Sequence, residues 1–237
     1  MKHPIVFIHG SGDSRRVWHL QLEQLGEAYA LYAVDLPGHG QRPDTLPVEA
    51  TVHDYTEAAY GIIQNELGLS TPIIAGHSLG GAIALSLALE HGSALGGLIL
   101  IGTGARLRVL PASLEAARTA PQEARKQLVG MGFTRDADAT LPQAVISEQV
   151  TPPSNTLYRD LAACDAFDCM ARLHEISLPT LIICGADDSA TPVKYSQYLH
   201  NHIAGSTLRI IANAGHYVFR EQPEAVNLAI EEWLQRL

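Results

Sequence analysis

The stretch that most constrains this chain is IIAGHSLGGAIALSLAL, residues 73–89, where a short apolar run breaks at Gly76 and resumes as a helical pattern from Leu79. Ser78 stands at the break. Gly76 and Gly80, two residues to either side, occupy places where side chains would collide if a strand turned sharply into a helix. Such an elbow exposes the serine Oγ and aims the first amides of the helix at it. A serine hydroxyl is a poor nucleophile at neutral pH, so an enzyme that uses one must expose it, hold a base against it and stabilise the oxyanion that forms. A GxSxG turn meets the first need only. A glycine turn joining a buried strand to a buried helix can carry the same letters without any chemistry, so the other two needs must be sought elsewhere in the chain.

The same punctuation recurs along the sequence. Residues 5–8 are a four-residue apolar run rich in β-branched side chains and too short for a helix, and residues 31–34, 98–101, 181–184 and 208–211 read likewise as buried strands. Helical patterns follow over 17–25, 52–67, the segment after Pro192, and 223–234. Strands alternating with helices predict a parallel sheet, of six strands once the run before Ser78 is included. The helix after Ser78 is apolar on nearly all faces, which marks it as central. From Gly104 to Glu175 the alternation stops. A purely helical stretch divided by Pro111, Pro121, Pro142, Pro152 and Pro153 reads there as a lid inserted into the core. The expected organisation is a core of residues 1–103 and 176–237 and a helical cap of residues 104–175.

Open α/β sheets bind ligands at the carboxyl ends of their strands. Three further segments lie at such ends. HGSG, residues 9–12, has glycines that free backbone N–H groups to face a ligand, and Ser11 is the candidate for one oxyanion donor. GADDSATP, residues 185–192, offers Asp187 and Asp188 as competing acids. NAGHYVF, residues 213–219, turns at Gly215 and can swing His216 toward the elbow. A base needs a carboxylate to fix its tautomer, and the strand ending at 101 runs into IGTGA without one, so the acid belongs to the segment after 184. The chain order is Ser, Asp, His. Asp35 and His39, in DLPGHG, are read as parts of a rigid structural turn. His3, His19, His53, His91, His174, His200 and His202 look like surface or helix-face residues, and His9, His39 and His77 are placed in turns.

Composition excludes several alternatives. With 46% hydrophobic and 17% charged residues in 237, the chain has the makings of an ordinary globular core. A net charge of -9 with no basic run argues against nucleic acid or an anionic membrane surface as a partner. Cys164, Cys169 and Cys184 are odd in number and lack metal or redox spacing, so they read as small buried hydrophobes in a reducing cytoplasm, and no metal site or cofactor motif is expected. Met1 to Pro4 lead directly into a strand pattern without a signal-like region, and no apolar run reaches the ~18 residues of a membrane span. Between Gly104 and His174 eight Lys plus Arg balance eight Asp plus Glu, so a neutral lid is expected over an acidic core. Met131, Phe133 and Met170 are candidates to line a pocket there or to form the lid's packing face. Arg106 and Arg108 are candidates to meet a substrate carboxylate or to stand solvated on the lid. No feature sets an oligomeric state.

With HGSG, DLPGHG, GHSLGG, GADDSATP and AGH in this order, the chain resembles the α/β-hydrolase superfamily, in particular its small cap-bearing serine esterase and lactonase branch. The resemblance spans the whole core. It implies an α/β-hydrolase fold, places the acid at the fourth position of the GxxD segment, Asp188, and assigns the oxyanion hole to the backbone amides of Ser11 and Leu79. Members of the family usually begin with a hairpin before the HG strand; this chain starts at that strand, which makes residues 31–34 the expected sheet edge. The expected activity is cleavage of small-molecule carboxylic esters or lactones through an acyl-enzyme on Ser78, with His216 as base. The same apparatus serves C–C bond hydrolysis, perhydrolysis and lyases of the menaquinone-pathway type, which resemble the family with Arg after the SLGG segment where this chain has Ala82. A hydrolase-like ligand receptor keeps such a triad too, with little turnover.

Overall fold

The computed structural model describes residues 3–148, 153 and 155–237. Its centre is a six-stranded, all-parallel sheet in the order β2-β1-β3-β4-β5-β6, built from β1 (Ile5–Ile8), β2 (Leu31–Val34), β3 (Ile73–His77), β4 (Gly97–Ile101), β5 (Thr180–Gly185) and β6 (Thr207–Ile211). Every residue of β1, β3, β4 and β5 is buried, because helices cover both faces of the sheet, and this is why these strands read as unbroken apolar runs. Successive side chains still point to opposite faces. Val6, Ile8, Ile74, Leu98, Leu100 and Ile182 join one core cluster, while Ile5, Phe7, Ile73, Ile99, Ile101 and Ile183 join the other. Each such side chain contributes roughly 1.5–3 kcal/mol by leaving water. The outer strands β2 and β6 are only partly covered, and β2 is an edge as expected.

The helices are α1 (His19–Leu25), α2 (Val52–Gly61), α3 (Leu79–His91), α4 (Pro111–Thr119), α5 (Pro121–Met131), α6 (Thr140–Ser147), α7 (Thr156–Ala166), α8 (Val193–His202), α9 (Val218–Glu221) and α10 (Pro223–Leu234). Two differ in detail from the periodicity. Residues 15–18 wind as a 3-10 turn ahead of α1, and the pattern over 52–67 divides into α2 and a π-helical turn, Ile62–Glu66, which buries the adjacent Ile62 and Ile63 together. The helix α3 is buried from Leu79 to Leu87, the central position its composition foretells.

Between β4 and β5 come α4 to α7 and a 3-10 turn, Met170–Glu175. Pro111 and Pro121 each occupy a helix's first position, where a missing N–H costs nothing, and Pro142 lies inside the first turn of α6. Pro152 lies outside the described residues, as does Met1. Ala117, Ala124, Leu157 and Leu161 give this segment a small core of its own. An isolated antiparallel bridge between Arg106 and Asp168, reinforced by their ion pair, ties its two ends together. Among the described residues no helix is long and apolar enough to cross a membrane.

Candidate active site

The turn from β3 into α3 sets Ser78 at φ 53° and ψ -115°, a region that L residues rarely adopt. The crossing is possible only with glycine around it. A Cβ on Gly76 would run into the Gly80 carbonyl, and one on Gly80 would run into the backbone of Ile8 and His9. The Ser78 amide donates to Ile101 O (3.1 Å) and its carbonyl accepts from Thr103 Oγ1 (2.8 Å), so the strained residue is held from both sides while its side chain faces a cavity.

His216 and Asp188 meet beside it. His216 Nδ1 and Asp188 Oδ2 are 2.9 Å apart. The carboxylate is buried and fully engaged: Oδ1 accepts the amides of Ala190 and Thr191 at 2.8 Å each, and Oδ2 also accepts Thr191 Oγ1 at 2.8 Å. Burial alone would raise the Asp188 pKa, but the His216 charge, its hydrogen bond and the Thr191 donors together outweigh burial and lower it. An ionised Asp188 accepts from Nδ1–H, which leaves Nε2 as the ring nitrogen free to take a proton. Among the described residues Ser78 Oγ makes no hydrogen bond, and catalytic contacts of this kind commonly tighten only once substrate is bound. Asp187, by contrast, is exposed, and its amide donates to Ala214 O at 2.9 Å within the turn.

The Ser11 loop approaches from β1. Among the described residues the amides of Ser11 and Leu79 have no protein acceptor, whereas those of Gly12, Asp13, Ser78 and Gly81 do. The peptide that carries the Ser11 N–H is fixed at its other end, where Gly10 O accepts His9 Nδ1–H (2.8 Å) and the Asp13 amide (3.2 Å). The His9 tautomer follows from its surroundings, because the Leu36 amide donates to Nε2 at 3.1 Å. Burial, then the neighbouring His39, press its pKa down to about 3, so the ring stays neutral.

Several residues of the site were not singled out by sequence. His77 is not in a turn: it is the last residue of β3, buried, with Nε2 3.1 Å from His216 O. Burial first and the His216 charge second hold it well below the usual imidazole range, so it donates as a neutral ring. Gly132 O, just beyond α5, accepts the amides of both His216 (2.7 Å) and Tyr217 (3.1 Å). Glu221 accepts the Gly215 amide at 2.7 Å. Thr191 and His77 carried a faint signal as members of the acid-loop and elbow segments; Gly132 and Glu221 are long-range contacts with none.

The cavity encloses about 450 Å³. Ser11, Ser78 and His216 form its floor with the sheet-end loops, and Leu107, Val109, Leu128, Met131, Leu157 and Leu161 face them from the segment between β4 and β5. Arg108 also lines it, while its Nη1 donates to Asp165 O at 2.8 Å. Arg106 does not; it is committed to Asp168. Of the other pocket candidates, Phe133 stacks on Tyr217 with centroids 4.9 Å apart and Met170 packs against the core, so neither lines the cavity. Asp35 and His39 are structural, as expected: Asp35 accepts the Arg15 amide (2.8 Å), and His39 pairs with the buried Asp160.

Comparison with known proteins extends these findings. A family model described as the alpha/beta hydrolase family matches residues 5–229. A pimeloyl-[acyl-carrier protein] methyl ester esterase of Neisseria meningitidis serogroup C is 29% identical over 235 residues, which cover 93% of this chain and 89% of the relative. Among solved structures, a thermophilic esterase superimposes with a TM-score of 0.85 at 34% identity, covering 98% of this chain and 89% of its own. The enol-lactonase of Burkholderia xenovorans superimposes with a TM-score of 0.89 over 99% of this chain and 92% of its own, and at 23% identity that likeness speaks for the fold.

Proposed function

The chain belongs to the alpha/beta hydrolase family, and from that premise we propose that it hydrolyses carboxylic esters or lactones of small molecules through an acyl-enzyme on Ser78. The observation that carries this reading is the 2.9 Å contact between His216 Nδ1 and Asp188 Oδ2 at the wall of the cavity that Ser78 lines. Ser78 Oγ attacks the ester carbonyl as His216 Nε2 takes its proton, and Asp188 stabilises the resulting imidazolium. The amides of Ser11 and Leu79 hold the oxyanion. His216 then returns the proton to the leaving alcohol; in the second half it takes a proton from the water that attacks the acyl-enzyme and passes it to Ser78 Oγ as the acid is released. Residues 104–175 act as a cap over residues 1–103 and 176–237, and bring the apolar wall against which the acyl or alcohol part packs. Relatives named as esterases support the reaction class. A cytoplasmic setting accords with three cysteines that are all free and buried.

A chain-length series of p-nitrophenyl esters beside a panel of lactones tests the proposal. The expected result is repeated turnover, lost in a folded Ser78→Ala variant, with Ser78 as the residue labelled by an organophosphonate. Single-turnover behaviour would favour a receptor, and persistent turnover in Ser78→Ala would overturn the assignment of the nucleophile.

A further inference from the structure

The loop that presents Ser11 is gripped from outside the sheet. Asp160, on α7, has no exposed surface. Its Oδ2 accepts the Gly12 amide at 2.9 Å and faces His39 Nε2 at 2.8 Å, and its Oδ1 accepts the Tyr55 hydroxyl. Arg159, next in sequence and almost wholly buried, donates from Nε to that hydroxyl at 2.9 Å and from Nη1 to Asp44, which anchors α7 to the loop after β2. From α5, Arg125 Nε donates to Gly12 O at 2.7 Å. Gly12 therefore has its N–H held by one helix and its C=O by another, at a φ of +67° that other residues resist.

A carboxylate buried this deeply costs several kcal/mol unless every oxygen is matched, and a buried ionic network is weak evidence of stability in itself. What this one does geometrically is specific. Each peptide is planar, so fixing the Gly12 N–H fixes the torsion that follows Ser11, as the His9 contact to Gly10 O fixes the peptide before it. Ser11 is thus clamped on both sides, on one by the core and on the other by α7 and α5.

We infer that Asp160 is a positioning residue that holds the Ser11 amide in register with the Ser78 oxyanion through the Gly12 N–H. This rests on the reading of Ser11 as an oxyanion donor. The residues over the cavity then do more than enclose substrate: they complete the geometry of the oxyanion hole. Asparagine at 160 can keep the arrangement, since placing its oxygen at the Oδ2 site serves two donors, Gly12 N and His39 Nε2, while its NH2 faces the Tyr55 oxygen. Alanine cannot.

The test compares the parent with Asp160→Ala, Asp160→Asn, Asp160→Ser and Tyr55→Phe. The readouts are kcat and KM on a p-nitrophenyl ester, the affinity of a trifluoromethyl ketone that forms a tetrahedral oxyanion, and hydrogen exchange at the Gly12 amide. Removing an oxyanion donor outright costs about 10²–10³ in kcat, so misaligning one should cost ~10–10². Asp160→Ala is expected to lose that factor in kcat and in ketone affinity together, with KM within about threefold, and to exchange the Gly12 proton faster. Asp160→Asn is expected to recover most of it. Tyr55→Phe disturbs the same network without touching Gly12, and is expected to lower Tm while leaving kcat within about threefold. Asp160→Ser, whose hydroxyl is too short to reach the Gly12 amide, decides the matter if Asp160→Ala does not fold: ketone affinity and kcat should fall in parallel. A folded Asp160→Ala or Asp160→Ser with unchanged ketone affinity overturns the inference, as does a Tyr55→Phe loss equal to that of Asp160→Ala. Failure of the ester reading shows separately, in a parent that lacks turnover or a Ser78→Ala variant that keeps it; an unchanged Gly12 exchange rate in Asp160→Ala would even then overturn the positioning role.

Discussion

Replacing Asp188 by asparagine tests the site most sharply, because the surrounding donors dictate how the amide must sit. Oδ1 accepts two backbone N–H groups, from Ala190 and Thr191, whereas Oδ2 accepts one hydroxyl and faces His216. An asparagine oxygen at the Oδ1 site keeps both backbone bonds; at the Oδ2 site, its NH2 would confront the buried Thr191 N–H and the part-buried Ala190 N–H, leaving the former without an acceptor at ~1–3 kcal/mol. The first orientation wins, and it turns NH2 toward His216 Nδ1. That nitrogen must then accept, so the ring proton moves to Nε2, the atom that should receive the proton of Ser78. Loss of the correct tautomer costs ~10⁴ in kcat, or about 5 kcal/mol of barrier. The expectation for Asp188→Asn is therefore a fall of about four orders of magnitude in kcat on a p-nitrophenyl ester, with circular dichroism unchanged. Asp187→Asn, at an exposed turn residue, should stay within about tenfold. Equal losses, or a larger loss at Asp187, would refute the argument.

Two further outcomes follow from other parts of the site. Ser78→Gly should abolish turnover yet raise Tm by a few degrees, since relief of a φ of 53° is worth ~1–3 kcal/mol against ~0.5–1 for the added chain entropy of glycine; a lower Tm would refute this. Burial pushes the Asp13 carboxyl up to about 6, against the lowering influence of Arg125 and the Tyr217 hydroxyl. A raised acid stabilises the fold fully below its unfolded value of about 4 and loses that contribution as pH climbs through about 6, a span worth about 3 kcal/mol. Asp13→Asn should flatten stability across that window in urea titrations at stepped pH, and two parallel stability curves would refute it.

The inner strands were legible because burial on both faces leaves mostly apolar residues to write them with, and each observed strand lies within a residue of its sequence run except β3, which continues past the break at Gly76 to His77. The proximity of His216 to Asp188 was legible for a different reason: consecutive strand ends in a parallel sheet deliver their loops to one edge. Asp160 and Arg159 were not legible. Their partners, His39, Tyr55 and Asp44, lie more than a hundred positions away, and on α7 they look like any charged pair. The π turn at 62–66 was equally hidden, since a helical period counted over 52–67 averages out one extra residue.

The strand order carries a consequence for the making of the protein. The strand β4 is all apolar and wholly buried, and the neighbour that covers its outer edge, β5, emerges some eighty residues later in the chain. At ~5–20 residues per second of synthesis, that edge stands open for on the order of 4–16 s while α4 to α7 are being made. An unpaired GLILI edge is the kind of template on which nascent chains pair with one another. Recombinant yield should therefore respond to translation speed and to holdase chaperones during this interval, with the soluble fraction depending on when β5 arrives.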